Sequence, residues 1–410
     1  MARTYRNADP PLPIMQGVPV PEAWRVPAHD WDNPPWNRWS FQHMRQICPT
    51  IDVAAGTDTW AMPVEPADVE GVAYTDLDDA PSTWAQMLEL TYTDAALIWL
   101  DGRIIAESYF NGMTQRTQHL AFSVSKSVVS AAAGALIGEG LMDPAAPVTD
   151  LMPELDATGW KGASLQHVLN MASGVVFDET YGNQDAHVFL LDVAAGVKPL
   201  YPWMDPETVP RTTLDLILSL TETDAAHGAR FSYRSIETDL LGCLMERAAG
   251  QGLAEIVSTR LWAPMGAERD GFFTVDPAGF PLADGGFNAT LRDFARFGRL
   301  LLEDGARDGR QIIPKAWIED IRHGPHGLAN DDLKSFLPQG CYRNKFWVED
   351  SAKGSHLSLG IFGQHIYVDP TIGLVAVKLS SWPDFLSDEG YLVEWLHAVK
   401  AVAAAHGAGA

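Results

Sequence analysis

Ala121-Phe122-Ser123-Val124-Ser125-Lys126, followed by the small-residue run Ala131-Ala132-Ala133-Gly134-Ala135, is the stretch from which the rest of this chain is read. A buried helix is predicted from Ser123 to a stop at Gly138 to Gly140. Residues three apart on a helix share a face, so the Ser123 hydroxyl and the Lys126 amine come within hydrogen-bond reach. Ser123 is the only serine in the chain with a lysine at that offset. A serine at a helix start commonly serves only as an N-cap. The other reading has chemical content. Serine is a weak nucleophile until a neighbouring base takes its proton, and burial beside the positive end of a helix is expected to hold this lysine uncharged near neutrality.

Outward from this helix, the β-prone runs 96–100 and 103–110 flank Asp101-Gly102, a strong hairpin signal. Strand character returns over 357–370 and 373–380, and a last helix is expected over 391–405. Residues 141–284 read mainly as helices and loops, with helices over 165–171, 213–221 and 237–249; a further helix opens near Leu291 and closes at 300–303. Early strands, a helical middle and late strands predict an α/β (α+β) fold: an antiparallel sheet flanked by helices, built from both chain ends, with a mainly helical lobe inserted. The expected divisions are an arm over 1–80, a sheet domain from 81–140 and 285–410, and a mainly helical domain over 141–284. The arm mixes Pro10, Pro11, Pro13, Pro34 and Pro35, which deny regular structure, with Trp24, Trp31, Trp36 and Trp39, which demand burial. It is therefore predicted to wrap a domain surface.

Composition removes several functions. A chain of 410 residues with 46% hydrophobic content buries a substantial core. Its 29 Lys and Arg against 53 Asp and Glu leave a net charge of −24, which disfavours a nucleic-acid partner or an anionic membrane. Cys48, Cys243 and Cys341 form no Cys-x-x-Cys pair, so neither a disulfide framework nor a zinc site is implied and the cytoplasm is the expected compartment. The amino terminus lacks an apolar signal core, and no apolar run has bilayer length. His323, His326, His356 and His365 lack metal-ligand spacing, and neither metal nor cofactor is expected.

A Ser-Lys pair needs a third group to return a proton to the departing atom, and a tyrosine serves where a nearby ammonium lowers its pKa. Phe231-Ser232-Tyr233-Arg234-Ser235 offers one, just ahead of the helix over 237–249. Beside this segment and Ser123 to Lys126 stand Trp39 to Pro49, Leu169 to Gly174, Phe177 to Tyr181, Gly285-Gly286 with Leu291 to Gly298, and Gly360-Ile361-Phe362-Gly363-Gln364 ahead of Val368-Asp369-Pro370. In this order they resemble the penicillin-recognising serine hydrolases, the superfamily of class C β-lactamases, D,D-peptidases and related esterases, and within it the 6-aminohexanoate-dimer (nylon oligomer) hydrolases.

The resemblance implies a β-lactamase-like fold in which Ser123 is the acylated nucleophile, Lys126 its base and Tyr233 the relay to the departing nitrogen. Ser235 stands where the superfamily often has asparagine, a Tyr-x-Ser form that agrees with the nylon-oligomer branch. Tyr181 matches a tyrosine that hydrogen-bonds the scissile amide, Trp347 a mobile active-site tryptophan, and Asp192 a specificity position suited to a substrate ammonium. Where the superfamily carries Lys-Thr-Gly or His-x-Gly, this chain has Gly360-Ile361-Phe362-Gly363; the missing cation argues against β-lactam specificity. An oxyanion hole from the amides of Ser123 and Ile361 survives the change, since peptide N–H groups do not depend on side-chain identity. The implied activity is hydrolysis of small linear amides by an acyl-enzyme, without metal or cofactor. Carboxylesterase or weak β-lactamase activity is the alternative, and a non-catalytic penicillin-binding-like scaffold a third. The expected partner is a small amide or ester, not nucleic acid or membrane; a homodimer is left open.

Overall fold

A computed structural model of the chain describes residues 11–181, 183–324, 327–385 and 390–407. The first ten residues of the expected arm and His326 lie outside the described residues. Seven strands form the principal sheet: β1 (Thr93–Leu100), β2 (Arg103–Tyr109), β3 (Cys341–Arg343), β4 (Phe346–Asp350), β5 (Ser355–Gly360), β6 (Gln364–Asp369) and β7 (Leu374–Ser380). They are antiparallel in the order β3-β4-β5-β6-β7-β1-β2, so the early hairpin docks on the last strand, with Val375 opposite Trp99 and Val377 opposite Leu97. Asp101 and Gly102 close the β1–β2 turn at φ 48 and 86, the positive values that a tight two-residue hairpin demands.

Strand β1 is buried along its whole length. Ala95, Leu97 and Trp99 enter one core while Ala96, Ile98 and Leu100 enter a second, because successive side chains of a strand face opposite ways. Both faces of the sheet are covered, which is why this run is continuously apolar rather than alternating. Four helices frame the sheet and the site: α1 (Val124–Gly138), α2 (Ile236–Ala249), α3 (Leu291–Leu302) and α4 (Tyr391–His406). Helices α1 and α3 pack in the first core; Trp395, Val399 and Val402 of α4 fill the second. Helix α1 is buried from Val124 through Leu136. A Cβ at Gly134 would stand 2.5 Å from the Trp317 ring, so the small-residue run lets an indole lie directly against the helix.

The fold is an antiparallel sheet flanked by helices. One part of it departs from the divisions expected along the chain. Thr50–Val53, Gln118–Leu120, Gly271–Thr274 and Phe287–Thr290 form a second, four-stranded antiparallel sheet that draws on the arm, the sheet segments and the helical segment alike. Strands of three or four residues are too short to display a period of two, and β3 and β4 escape notice for a similar reason. Trp31, Phe41 and Met44 are buried in a cluster with Phe362 and Trp382.

Candidate active site

Ser123 occupies the N-cap position of α1 at φ −66 and ψ −7, yet its side chain makes no capping hydrogen bond. Phe122 before it sits at φ 46, a left-handed conformation that costs a bulky residue on the order of 1 kcal/mol or more and gives the serine a strained, well-defined turn. Lys126 Nζ donates to Ser123 Oγ at 2.8 Å, to the Asp284 carbonyl at 2.8 Å and to Asp284 Oδ2 at 3.3 Å. All three N–H groups of an ammonium are thereby matched to oxygens. The Tyr233 ring centroid lies 5.2 Å from Lys126 Nζ, so the ring is next to the Ser123–Lys126 pair.

The electrostatics reverse one expectation. Burial pushes Lys126 down, but the negative field of its neighbours, the electron-rich Tyr233 oxygen and the carboxyl groups of Asp284, Glu179 and Asp239, outweighs it and holds the amine above its ordinary value. Lys126 is therefore an ammonium in the resting site, not the neutral amine that burial alone would give. Tyr233 stays a phenol: burial raises it, and the opposing influence of Lys126 does not bring it below its usual range.

Helix α2 and the loop before α3 build the floor. Asp239 Oδ1 accepts from the amides of Ala283 and Asp284, at 3.0 and 3.2 Å, and so fixes the loop that delivers Asp284 to Lys126. Ser235 is held by Glu179, donating from N to Oε2 at 2.6 Å and from Oγ to Oε1 at 2.5 Å; Tyr181 donates to the same Oε1 at 3.2 Å. Burial raises the Glu179 carboxyl, with Lys126 and Ser235 opposing it. On the far side, Gly360 ends β5 against the serine turn. A Cβ there would meet the Ala121 carbonyl at 2.4 Å and Ser123 N at 3.2 Å, so only glycine lets Ile361 follow so closely on Ser123.

Ser123, Tyr181, Asp192, Ser235, Asp284 and Ile361 line a common cavity of about 340 Å³. Asp192 is partly exposed, facing this cavity rather than open solvent. Burial pushes its carboxyl up to about 7, and Tyr201 donates to Oδ2 at 2.8 Å. Trp347 is placed otherwise: it stacks on Tyr233 with centroids 5.5 Å apart and packs edge-on against Tyr342, behind the tyrosine rather than in the cavity wall. Sequence reasoning misses Glu179, Asp239 and Asp284. The spacing of Asp239 from Ser235, one helical turn on the same face, is the only local signal for any of them. No group of His, Cys, Asp and Glu able to hold a metal ion is found among the described residues.

The β-lactamase family profile matches residues 90–398. The chain belongs to the β-lactamase family. Over 356 residues it is 35% identical to the 6-aminohexanoate-dimer hydrolase of Paenarthrobacter ureafaciens, an alignment spanning 86% of this chain and 88% of that protein. The solved structure of a Bacillus anthracis protein assigned as a 6-aminohexanoate-dimer hydrolase matches with a TM-score of 0.82 at 26% identity, covering 93% of this chain and 98% of that one. Esterase EstB of Burkholderia gladioli is 29% identical over 182 residues, 42% of this chain and 43% of that protein. Two curated relatives of this β-lactamase-family chain are thus a hydrolase and an esterase by name, and the arm ahead of residue 90 lies outside the family match.

Proposed function

We propose that this protein is a serine hydrolase that cleaves small linear amides, such as the 6-aminohexanoate dimer, through an acyl-enzyme on Ser123. The observation that carries the reading is the 2.8 Å contact from Lys126 Nζ to the oxygen of a serine that faces a cavity and does not cap its helix. Once Lys126 has released a proton, its lone pair faces the Ser123 hydroxyl and that hydrogen bond reverses direction. Ser123 Oγ attacks the substrate carbonyl carbon as its proton passes to Lys126, and the amides of Ser123 and Ile361 receive the oxyanion. Collapse of the tetrahedral intermediate breaks the C–N bond; Tyr233 gives its proton to the departing nitrogen and recovers one from Lys126. Water then cleaves the acyl ester by the same steps in reverse, releasing a carboxylic acid and restoring Ser123.

Tyr181 is the donor or acceptor for the scissile amide. Asp192 receives a substrate ammonium, which its place in the cavity wall supports. Trp347, packed behind Tyr233, steadies the relay ring. Esters need no proton on their leaving group, so the same site opens them too, a reading that the likeness to an esterase favours. The absence of a cation in Gly360 to Gly363 disfavours β-lactams. Three free cysteines agree with a reducing, cytoplasmic setting, and no helix among the described residues is long and apolar enough to cross a membrane. Intact-mass spectrometry across linear amides, esters and β-lactams tests the proposal: an adduct at Ser123, lost in Ser123→Ala, is expected with amides and esters. Failure to acylate or turn over any member of the panel overturns it.

A further inference from the structure

The cavity that holds Ser123 is not enclosed by the family core alone. His29, Asp30, Trp31, Asp32 and Asn33, all from the arm outside residues 90–398, form part of its wall. We infer that this arm segment is a specificity element, with Trp31 as a fixed wall that limits the length of the substrate chain Ser123 can accept. The inference rests on the acyl-transfer reading above and adds the size of substrate that reading leaves open.

Trp31 is only 3% exposed, and its position is set from several sides. Its Nε1 donates to the Val197 carbonyl at 2.8 Å. Its ring lies parallel to Phe122, with an interplanar angle of 6° and centroids 6.5 Å apart, and edge-on to Phe41 at 6.2 Å. Phe122 is the strained residue directly before Ser123, so the arm's indole is stacked against the turn that presents the nucleophile. Lys198 clasps the segment: its Nζ donates to the His29 carbonyl at 2.5 Å, pairs with Asp32, and stands 5.4 Å from the Trp31 ring. The His29 ring rests beside Tyr201 at 5.5 Å. Since Val197, Lys198 and Tyr201 come after the helix His187–Ala194 that carries Asp192, the arm is tied to a segment that lines the same cavity as Ser123.

A loose arm would yield to a longer substrate, but a hydrogen-bonded and clasped indole does not. A rigid apolar wall discriminates by exclusion, and a methylene against such a wall changes reactivity by about tenfold or more. The wall is apolar on the Trp31, Phe122 and Phe362 side, which fits an unbranched hydrocarbon segment of the substrate.

The test uses the full chain and linear alkyl fluorophosphonates from ethyl to dodecyl, with the labelling rate at Ser123 read by intact mass. For the native protein the rate falls steeply past a limiting length. Trp31→Ala moves that limit to longer chains and raises the ratio of dodecyl to ethyl labelling by about tenfold or more. Trp31→Phe, which keeps an aromatic wall, returns the profile toward the native one, and Lys198→Met, which frees His29 and Asp32 but keeps the indole, gives an intermediate shift. The same length profile in the native protein, Trp31→Ala and Lys198→Met overturns the inference. If Trp31→Ala does not fold, Lys198→Met decides alone, an unchanged profile counting against the arm. No Ser123 adduct in the native protein with any probe overturns the hydrolase reading itself, a result distinct from labelling without length discrimination.

Discussion

Lys126 and Lys345 are both buried to 1% exposure, yet their surroundings drive them in opposite directions. Lys126 has oxygens for all its protons and four acidic or phenolic neighbours, and it is held above its usual value although burial pushes it down. Lys345 Nζ has no hydrogen-bond partner among the described residues. Burial lowers it to about 7; Glu237 opposes that fall, and the charge of Lys126 adds to it. Burial alone does not make a lysine a base. What decides is the set of groups that share the buried space, and here that set charges the lysine touching Ser123 and half-neutralises the one that does not.

The sharpest way to break this comparison is to remove each amine in turn. Lys126→Met is expected to lower kcat/KM for a linear amide by about a thousandfold, the range for losing a positioned base. Lys345→Met is expected to cost less than about tenfold, because no contact joins its amine to Ser123. Steady-state kinetics on the two variants decide the matter: equal losses would mean that the hydrogen bond to Ser123 is not what separates the two lysines.

Tyr233 lies against Lys126, and replacing it tests the proposed relay between them. Tyr233→Phe is expected to slow amide cleavage by about a hundredfold and a p-nitrophenyl ester by less than about tenfold, since an amine cannot depart without a proton and a nitrophenolate can. Parallel kcat/KM measurements on an amide and an ester of the same acyl group give the ratio. Equal losses would remove Tyr233 from the leaving-group step.

The half of this comparison that involves Lys126 is legible in the chain, and the half that involves Lys345 is not. Ser123 and Lys126 belong to one helix, so their spacing carries their geometry. The same holds for the β1–β2 hairpin, where Asp101-Gly102 states the turn, and for α2, α3 and α4, whose ends lie within a residue or two of the expected ones. The charge of Lys126 is not legible, because Asp284 and Glu179 reach it from segments 158 and 53 positions away in the chain. Lys345, between β3 and β4, carries no local pattern at all, and its isolation exists only once Ser127 and Leu169 have fixed its backbone. Trp347 shows the converse: likeness alone makes it a mobile residue of the site, while its stacking on Tyr233 comes from the β3–β4 pairing that places Tyr342 opposite it.

A smaller effect concerns the charge of Asp284. Its carboxylate helps hold Lys126 above its usual value, so Asp284→Asn, which keeps an oxygen acceptor and the backbone carbonyl, lets the amine lose its proton at lower pH. If the neutral amine is the acting base, activity rises with pH, and the substitution moves that rising limb of kcat/KM toward acid by about one pH unit. A profile that stays in place would mean that the remaining neighbours suffice to charge Lys126.

The smallest expected effect is on stability, and it belongs to Lys345. Its ordinary value is 10.5 and its folded value about 7, so as pH falls below 10.5 the unfolded chain takes up a proton that the folded chain refuses. The resulting penalty grows until pH reaches about 7 and is constant below it. At about 1.36 kcal/mol per pH unit the full penalty is roughly 5 kcal/mol; Lys345→Met removes it but gives back part of that relief by leaving the buried Glu237 without its opposing charge. The net expectation is a gain of about 1–2 kcal/mol near pH ~7, shrinking as pH approaches ~10, read from urea midpoints at several pH values. A methionine variant less stable than the native protein at neutral pH, or a difference that does not shrink in alkali, would show that Lys345 is charged and paired after all. Both buried lysines would then owe their state to neighbours of the same kind.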